Sequence, residues 1–384
     1  MMYYYLLLCA ITFCSFGAFA QPVKTGADQP DLYLPLLKNR RVALVANNAS
    51  RKGEQHLLDF LLAEQVDVRA VFCPEHGFRG TADAGEKVHD QKDPETGLPV
   101  ISLYGENRKP ADEQLKDLDV IVFDLQDVGV RFYTYISTMH YVMEACSENH
   151  IPFILLDRPN PNGDYVAGPV LKAKFRSFVG MEPIPVVYGC TMGELARMVN
   201  GEGWLSQGEK CDLTVVPLKN YTHKTRYSLP VKPSPNLPNS VSIRLYPSLC
   251  FFEATHVSIG RGTIFPFQVI GYPDPKMGKF AFTPESIDGM AKSPVQEGKL
   301  CYGDDLRASG VHQKFTLSYF LNYYHKFTNE KDFLNSERWF NLLAGTDEVL
   351  KAIRAGKTEK QIEASWEADL SKYRHVREKY LLYP

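Results

Sequence analysis

The sequence has no excess of charge of either sign. Its 384 residues include 43 Lys and Arg and 45 Asp and Glu, which leaves a formal net charge of −2. A protein that binds nucleic acid or an anionic bilayer through its charge carries a surplus of Lys and Arg. The composition therefore gives no reason to expect a nucleic-acid partner, and it favours a small or neutral ligand instead.

Long apolar runs are also missing, with one exception at the start of the chain. Residues 1–20 form an apolar run that is short for a membrane span and ends in an Ala-Phe-Ala motif at Ala20. This pattern is typical of a secretory signal peptide, so we expect cleavage after Ala20 and an exported protein, periplasmic or secreted, without stable membrane association. An uncleaved anchor is the alternative. Bulky Phe13 before Cys14 argues against a lipoprotein.

The cysteines outside this run lack the C-x-x-C spacing of a metal or redox site. They are scattered along the chain at Cys73, Cys146, Cys190, Cys211, Cys250 and Cys301. Scattered cysteines of this kind usually serve as small buried hydrophobic residues. An even number in an exported chain would also permit disulfides, which the sequence alone does not pair.

Several motifs that mark well-known enzyme classes are absent. The chain has no G-x-G-x-x-G, G-x-x-x-x-G-K-[ST] or G-x-S-x-G segment, which disfavours a dinucleotide site, an ATP site and a serine hydrolase. It also has no H-E-x-x-H, although His76 and His89 could join Glu75 or Asp124 around a metal ion. We therefore expect no cofactor and no catalytic metal.

The first half of the chain alternates short apolar runs with helical patterns, which is typical of a parallel sheet built from βαβ units. Helical stripes at 57–62 and 137–146 lie between the apolar runs. Five runs predict strands, at residues 42–46, 68–72, 100–103, 120–125 and 153–156. We therefore predict an α/β fold with a Rossmann-like, doubly wound parallel sheet over residues 31–165.

The pattern changes from about residue 166, where Pro and Gly become frequent. We predict an α+β C-terminal domain over residues 166–384, with a ligand cleft between it and the first domain. Helical stripes return beyond residue 313, and the Pro-rich segment 221–239 predicts an extended loop that borders the cleft. Strand candidates that no longer alternate with helices lie at 185–188, 213–217 and 242–245.

Polar residues crowd at the predicted carboxyl ends of the strands. Open α/β sheets bind their ligands in the crevice beyond these ends, so the residues there are the first candidates for a site. They are Asn48; Glu75, His76 and Arg79; Asp124, Gln126, Asp127, Arg131 and Tyr133; and Asp157, Arg158 and Asn160. Acids, amides and arginines at four strand ends predict one assembled site.

Glu75 is the first choice for general acid–base or nucleophilic chemistry, which glycosidases carry out with two carboxyl groups. It follows a buried strand and an apolar Phe-Cys-Pro run, surroundings that favour a protonated acid. His76 beside it is expected to orient it or to contact a sugar hydroxyl. The alternative is that Glu75 only caps the next turn.

Glu253, from the second domain, is the best partner for Glu75. Glycines on both sides of Arg261 would let the backbone turn sharply and present the guanidinium to a ligand. The alternative has equal weight: Glu253 and Arg261 would pair with each other in a structural turn.

The charged residues after the fourth and fifth strands each have two interpretations. One of Asp124 and Asp127 is expected to face the crevice, while the other ties the loop to backbone N–H groups. Arg131 is expected to neutralise a nearby acid or to bind an anionic substrate group. Asp157 and Arg158 repeat this combination one strand later, or form a surface ion pair.

A helix is predicted over residues 191–200, in the second domain. Thr191 at its start and Glu194 three residues later form the pattern of a capping box. Glu194 is therefore either a helix cap or a site residue, and the capping interpretation is favoured.

Together these segments resemble the exo-β-N-acetylmuramidase family, the NamZ-type enzymes of glycoside hydrolase family 171, formerly a domain of unknown function. Cys190 and Ala254 depart from the residues common in the family and leave the acids in place. The segments that carry the resemblance are PEHGFRG at 74–80, DLQDVGVRFYTY at 124–135, LDRPNP at 156–161, YGCTMGELA at 188–196 and GRGT at 260–263.

The resemblance implies a cleft enzyme that releases terminal β-1,4-linked N-acetylmuramic acid from the non-reducing end of peptidoglycan fragments such as MurNAc-GlcNAc. It gives Glu75 the catalytic role. A non-catalytic muropeptide-binding protein is the alternative, and an esterase or amidase lacks a Ser-His or zinc constellation. Candidates for the second carboxylate are Glu253, Asp127 and Asp124, and candidates for the cation that binds the lactyl carboxylate are Arg131, Arg158 and Arg261.

Overall fold

The computed structural model describes residues 21–75, 77–78 and 90–384. Its strands are β1 (Arg41–Ala46), β2 (Arg51–Lys52), β3 (Gln55–His56), β4 (Asp67–Cys73), β5 (Gln91–Lys92), β6 (Pro99–Ser102), β7 (Val120–Asp124), β8 (Phe153–Leu156), β9 (Ala167–Val170), β10 (Pro185–Val187), β11 (Leu213–Val216), β12 (Val269–Tyr272), β13 (Phe280–Phe282) and β14 (Cys301–Asp305). Its α-helices are α1 (Pro30–Leu37), α2 (Leu57–Ala63), α3 (Asp112–Leu115), α4 (Tyr135–Glu148), α5 (Met192–Gly201), α6 (Ser240–Leu249), α7 (Ser318–Lys326), α8 (Glu330–Phe333), α9 (Glu337–Ala344), α10 (Glu348–Arg354) and α11 (Glu359–Glu378).

The central sheet has seven strands in the order β11-β8-β7-β1-β4-β6-β5. Neighbouring strands run parallel except at the edge, where β5 is antiparallel to β6. Numbered along the chain, the six parallel strands have the spatial order 3-2-1-4-5-6, which is the Rossmann-type order. The doubly wound sheet and its five predicted strands are therefore confirmed. The sixth parallel strand, β11, comes from beyond residue 166, and the division into two domains stays a prediction.

The inner strands are buried on both faces because helices cover both sides of a parallel sheet. Side chains alternate between faces along β1, as the two-residue period of a strand requires. Leu44 belongs to a core cluster with Leu58 of α2 on one side. Val45 belongs to a second cluster with Met139 of α4 on the other side. This second cluster continues into the C-terminal part of the chain, so the two parts share one core.

The C-terminal part combines an antiparallel sheet, in the order β12-β14-β13, with the β9–β10 pair and several helices. The helices predicted beyond residue 313 are confirmed as α7, α9 and α11, and the 185–188 strand as β10. The strand predicted at 242–245 is wrong, because these residues lie in α6. The Asn239 side chain accepts the Ser242 N–H and caps this helix, and a short apolar run does not separate a buried helix from a strand.

The six cysteines beyond the first twenty residues are all buried, and none forms a disulfide in the described structure. The interpretation of these residues as small buried hydrophobic side chains is confirmed. Among the described helices, none combines the length and the apolar character that crossing a membrane would need. The predicted signal peptide at residues 1–20 lies outside the described residues.

Candidate active site

A cavity of about 790 Å³ opens beyond the carboxyl ends of β4, β6 and β7. Glu75 from the N-terminal part and Glu253 from the C-terminal part both line it. Its volume falls in the range of small-molecule sites, which usually combine apolar walls with a few polar groups. Its wall also includes Tyr104, Arg108, Thr134, Phe178, Arg261 and Trp339.

Hydroxyl groups orient Glu75, which lies half-buried two residues beyond β4. Oγ1 of Thr134 donates to its Oε2 at 3.4 Å, and the Tyr135 hydroxyl donates to its backbone oxygen at 3.5 Å. Tyr104 lines the cavity together with Glu75. Burial, and then the neighbouring Glu75 carboxylate, raise the pKa of Tyr104 above its usual value, so this hydroxyl stays a donor.

Glu253 and Arg261 form an ion pair that faces the same cavity. Nη2 of Arg261 lies 2.6 Å from Oε1 of Glu253, and the two side chains are 26% and 23% exposed. Although burial opposes it, the Glu253 carboxylate raises the pKa of Arg261, so the guanidinium stays charged. The guanidinium also lies 4.9 Å from the centre of the Phe267 ring. The predicted pairing of Glu253 with Arg261 is therefore observed, and the pair lines the cavity that Glu75 also lines.

The turn that presents Arg261 depends on its flanking glycines. Gly260 and Gly262 both have φ of +79°, in the left-handed region. A Cβ atom at Gly262 would lie 2.5 Å from the backbone oxygen of Glu285, so a larger residue would displace the backbone. The predicted sharp turn is confirmed, and it fixes the position of the guanidinium.

Asp124 and Arg158 are not among the residues that line this cavity. They pair with each other at the strand ends. Nε and Nη2 of Arg158 bond to the two carboxylate oxygens of Asp124 at 2.5 and 2.7 Å. Asp124 is fully buried, and Arg158 is 6% exposed. The surface pair between Asp157 and Arg158 is therefore wrong. The observed pair joins the ends of the neighbouring strands β7 and β8.

Asp157 and Glu194 are fully buried and hold other elements in place. Asp157 accepts hydrogen bonds from two backbone N–H groups and from the hydroxyls of Thr191 and Tyr383. Glu194 and Thr191 form the predicted capping box of α5, which is confirmed. Glu194 also bonds to Nε2 of His223 at 3.0 Å. We assign both acids to positioning α5 and the chain end.

Four further candidates lie among the strand-end loops and outside the lining residues of the main cavity. Oδ2 of Asp127 accepts from the Tyr188 hydroxyl and from a backbone N–H. Nε2 of Gln126 donates to two backbone oxygens at 2.8 Å, and Nδ2 of Asn160 donates to a third at 2.7 Å. Asn48 lies in the turn between β1 and β2. The side chains of Asp127, Gln126 and Asn160 thus satisfy backbone groups of loops that have no regular structure.

The buried Asp127 predicts a pH dependence of stability. Burial raises the pKa of Asp127 from 3.8 to about 6. Between these values the native state keeps a proton that the unfolded state has lost, so this group's contribution to the free energy of unfolding falls as the pH rises through that window. The loss amounts to about 3 kcal/mol at most. We expect Asp127→Asn to flatten this decline in urea unfolding measured between pH 4 and 7, and an unchanged slope would contradict the assignment.

Arg131 is a buried structural cation. It is fully buried, and its guanidinium donates to the backbone oxygens of Pro169, Ile184 and Leu343 at 2.7 to 2.9 Å. No carboxylate of the described residues forms an ion pair with it, and burial lowers the pKa of Arg131 to about 9. The expectation that it neutralises an acid or binds a substrate anion is therefore wrong. It ties three separate segments together.

Tyr133 lies beside Glu75 in a smaller adjoining cavity of about 60 Å³. Its hydroxyl donates to the backbone oxygen of Pro233 at 2.6 Å. Ser234 lines the same small cavity, so the Pro-rich loop borders the site as predicted. His76 and Arg79 lie outside the described residues.

Sequence reasoning missed several residues of the cavity wall. Tyr104 follows the third predicted strand, so the strand-end rule that selected Glu75 also pointed to it. Arg108 lies four residues further, in a loop without a recognisable pattern. Phe178 and Trp339 come from a loop and from α9, and only the tertiary fold brings them to the cavity.

Two family models match the chain, one for the N-terminal part of exo-beta-N-acetylmuramidase NamZ over residues 42–241 and one for its C-terminal part over residues 244–383. The chain belongs to the exo-β-N-acetylmuramidase family. It is 39% identical to the peptidoglycan beta-N-acetylmuramidase NamZ of Bacillus subtilis, over 94% of this chain and 91% of that relative.

Two crystal structures of DUF1343 family proteins from Bacteroides fragilis have the same fold. One is 46% identical with a TM-score of 0.87, and the other is 30% identical with a TM-score of 0.81. Each comparison covers 94% of this chain and 99% of the other.

The cavity of this exo-β-N-acetylmuramidase family member lies between the regions that the two family models match. Glu75 and Tyr104 belong to the N-terminal match, while Glu253, Arg261 and Trp339 belong to the C-terminal match. The two acids therefore meet only when both parts of the chain are folded against each other.

Proposed function

We propose that this protein is an exo-acting glycoside hydrolase that releases terminal β-1,4-linked N-acetylmuramic acid from the non-reducing end of peptidoglycan fragments. The observation that carries the proposal is the shared cavity of Glu75 and Glu253, in a chain of this family. Glycoside hydrolysis generally needs two carboxyl groups on either side of the bond that breaks. Tyr104 lines the same cavity as both acids.

Glu75 acts as the general acid. Its carboxyl group donates a proton to the glycosidic oxygen as the bond from that oxygen to the anomeric carbon breaks, so the leaving sugar departs with a hydroxyl group. Thr134 holds the Glu75 side chain through its hydroxyl. Because the acid is already held in place, less entropy is lost in reaching the reactive geometry, and the activation free energy is lower.

Glu253 is the second carboxylate. Its Oε1 accepts a hydrogen bond from Nη2 of Arg261 at 2.6 Å. A negative charge in the cavity stabilises the positive charge that develops on the sugar ring as the leaving group departs. Water supplies the hydroxyl of the released N-acetylmuramic acid, and the remaining fragment gains a new non-reducing end.

The proposal is tested with the disaccharide MurNAc-GlcNAc and the full chain. We expect the wild-type protein to release free N-acetylmuramic acid from it, and to leave the reversed disaccharide GlcNAc-MurNAc intact. If well-folded protein binds MurNAc-GlcNAc without cleaving it, the hydrolase proposal fails and a muropeptide-binding protein replaces it.

Replacing Glu253 by Gln should lower kcat on MurNAc-GlcNAc by about 10²-fold or more, because the ring charge loses its counter-charge. The measurement is steady-state kinetics, with circular dichroism to establish folding. Glu367→Gln is the matched control, since Glu367 forms an exposed ion pair with Arg374. A drop in melting temperature with unchanged kcat would instead make Glu253 only a structural partner of Arg261.

We also propose that the protein works outside the cytoplasm, after removal of residues 1–20. The apolar run that ends at Ala20 supports this proposal. Residues just after the expected cleavage site pack on the fold. The backbone oxygen of Pro22 accepts a hydrogen bond from Nδ2 of Asn220, and the backbones of Lys24 and Lys219 form an antiparallel β-bridge. Peptidoglycan lies outside the cytoplasm, so an exported enzyme meets its substrate there.

A further inference from the structure

We infer that Arg108, held on the face of the Phe178 ring, forms a carboxylate-binding subsite that receives the lactyl group of N-acetylmuramic acid. This inference rests on the proposed function. It names the protein group by which the cavity would bind N-acetylmuramic acid in preference to N-acetylglucosamine. The two sugars differ only in the lactyl ether, which carries the carboxylate.

The Arg108 side chain is fixed at one end and open at the other. Its Cζ atom lies 4.4 Å from the centre of the Phe178 ring, and its Nε donates to the backbone oxygen of Gly105 at 3.1 Å. Its Nη1 and Nη2 have no hydrogen-bond partner in the part of the chain that the structure describes. A guanidinium presents these two groups as a fork that matches both oxygens of a carboxylate.

The ring that supports Arg108 is itself held in place. Oγ of Ser137, on α4, donates to the backbone oxygen of Phe178 at 2.7 Å. The Tyr141 ring of the same helix stacks on Phe178 with 6.3 Å between ring centres. A fixed support limits the side-chain entropy that Arg108 loses when it binds a ligand.

The three arginines that the resemblance offers for the lactyl carboxylate have other partners in the structure. Arg131 and Arg158 are buried and bonded to backbone oxygens or to Asp124. Arg261 lines the cavity, but its Nη2 is bonded to Glu253. Lys292 also lines the cavity and is the remaining rival, although an ammonium group is a point charge without the planar fork of arginine.

Arg108 also lies near the reacting acids. It lines the same cavity as Glu75 and Glu253. The lactyl group is attached to O3 of the same sugar ring as the anomeric carbon, so its carboxylate and the bond that breaks belong to one sugar residue. Arg108 can therefore bind the lactyl carboxylate while the sugar ring lies against Glu75 and Glu253.

The test measures equilibrium binding of free N-acetylmuramic acid and of N-acetylglucosamine to the full chain, by calorimetry or ligand-observed NMR. We expect Arg108→Gln to lower the affinity for N-acetylmuramic acid about 10-fold or more, as the loss of a charge-assisted hydrogen bond would. Binding of N-acetylglucosamine should stay unchanged. Arg108→Lys should recover part of the loss, and Phe178→Ala should reproduce part of it. Arg69→Gln, at an exposed pair with Asp67, is the control.

Two results would overturn the inference. Equal loss of both sugars in Arg108→Gln would make the residue a general structural support, and unchanged binding of both would remove it from the site. In the second case, loss of discrimination in Lys292→Gln would assign the carboxylate to Lys292. Binding is measured without turnover, so the two proposals can fail separately. If Arg108→Gln loses N-acetylmuramic acid binding as expected while the wild-type protein releases no sugar from MurNAc-GlcNAc, only the proposed function fails.

Discussion

Replacing Glu75 by Gln should lower the rate of N-acetylmuramic acid release by about 10²- to 10⁴-fold, the range of a lost general acid. Glutamine keeps the shape of the side chain and can still accept from Oγ1 of Thr134. It has no proton to give to the glycosidic oxygen. The rate is measured with MurNAc-GlcNAc, alongside the binding affinity of the same disaccharide, which should change little.

A substrate with a good leaving group distinguishes the loss of a proton donor from the loss of folding or of sugar binding. A phenolate such as dinitrophenolate departs without a proton, so Glu75→Gln should lose much less activity on a dinitrophenyl glycoside than on MurNAc-GlcNAc. Glu54→Gln is the matched control because Glu54 is exposed between β2 and β3. An equal loss on both substrates would show that Glu75 is not the group that protonates the leaving oxygen.

Breaking the buried pair of Asp124 and Arg158 should have the largest effect on stability. We expect Arg158→Met and Asp124→Leu each to lower the free energy of unfolding by about 3–5 kcal/mol, because each leaves one buried charge without its partner. The double variant should regain much of the loss, since no uncompensated charge remains. Urea unfolding of the four proteins completes the cycle.

An exposed ion pair provides the comparison. Arg41 bonds to Asp119 at 2.9 Å, but their side chains are 39% and 38% exposed. Arg41→Met should therefore lower the free energy of unfolding far less than Arg158→Met does. If Arg158→Met cost no more than this control, the pair between β7 and β8 would not be a main support of the strand ends.

The sequence predicts the sheet well because its inner strands are apolar on both faces. Runs such as 42–46 and 153–156 alternate with helical stripes along the chain, and this alternation indicates covered parallel strands. The rule that ligands bind beyond the carboxyl ends of such strands then selects Glu75, and the structure places it at the cavity. The sharp turn at Arg261 could also be predicted from its flanking glycines, because few other residues adopt a left-handed backbone.

The same rule selected too many residues, for a physical reason. Loops at strand ends bury backbone groups that need hydrogen-bond partners, and polar side chains supply them. Asp157 and Asp127 do this work, and sequence position does not separate them from an acid that faces the ligand. The part of the cavity wall that Trp339 forms could not be predicted from the sequence, since only the packing of α9 brings this residue to the cavity.

The central claim concerns which sugar is released and from which end. The most direct measurement is mass spectrometry of the products from a defined peptidoglycan oligosaccharide with N-acetylmuramic acid at its non-reducing end. The account predicts free N-acetylmuramic acid and a fragment shorter by that one residue, with no further products until a new terminal N-acetylmuramic acid is exposed. Release of disaccharides or larger internal fragments, or an unchanged oligosaccharide, would contradict it.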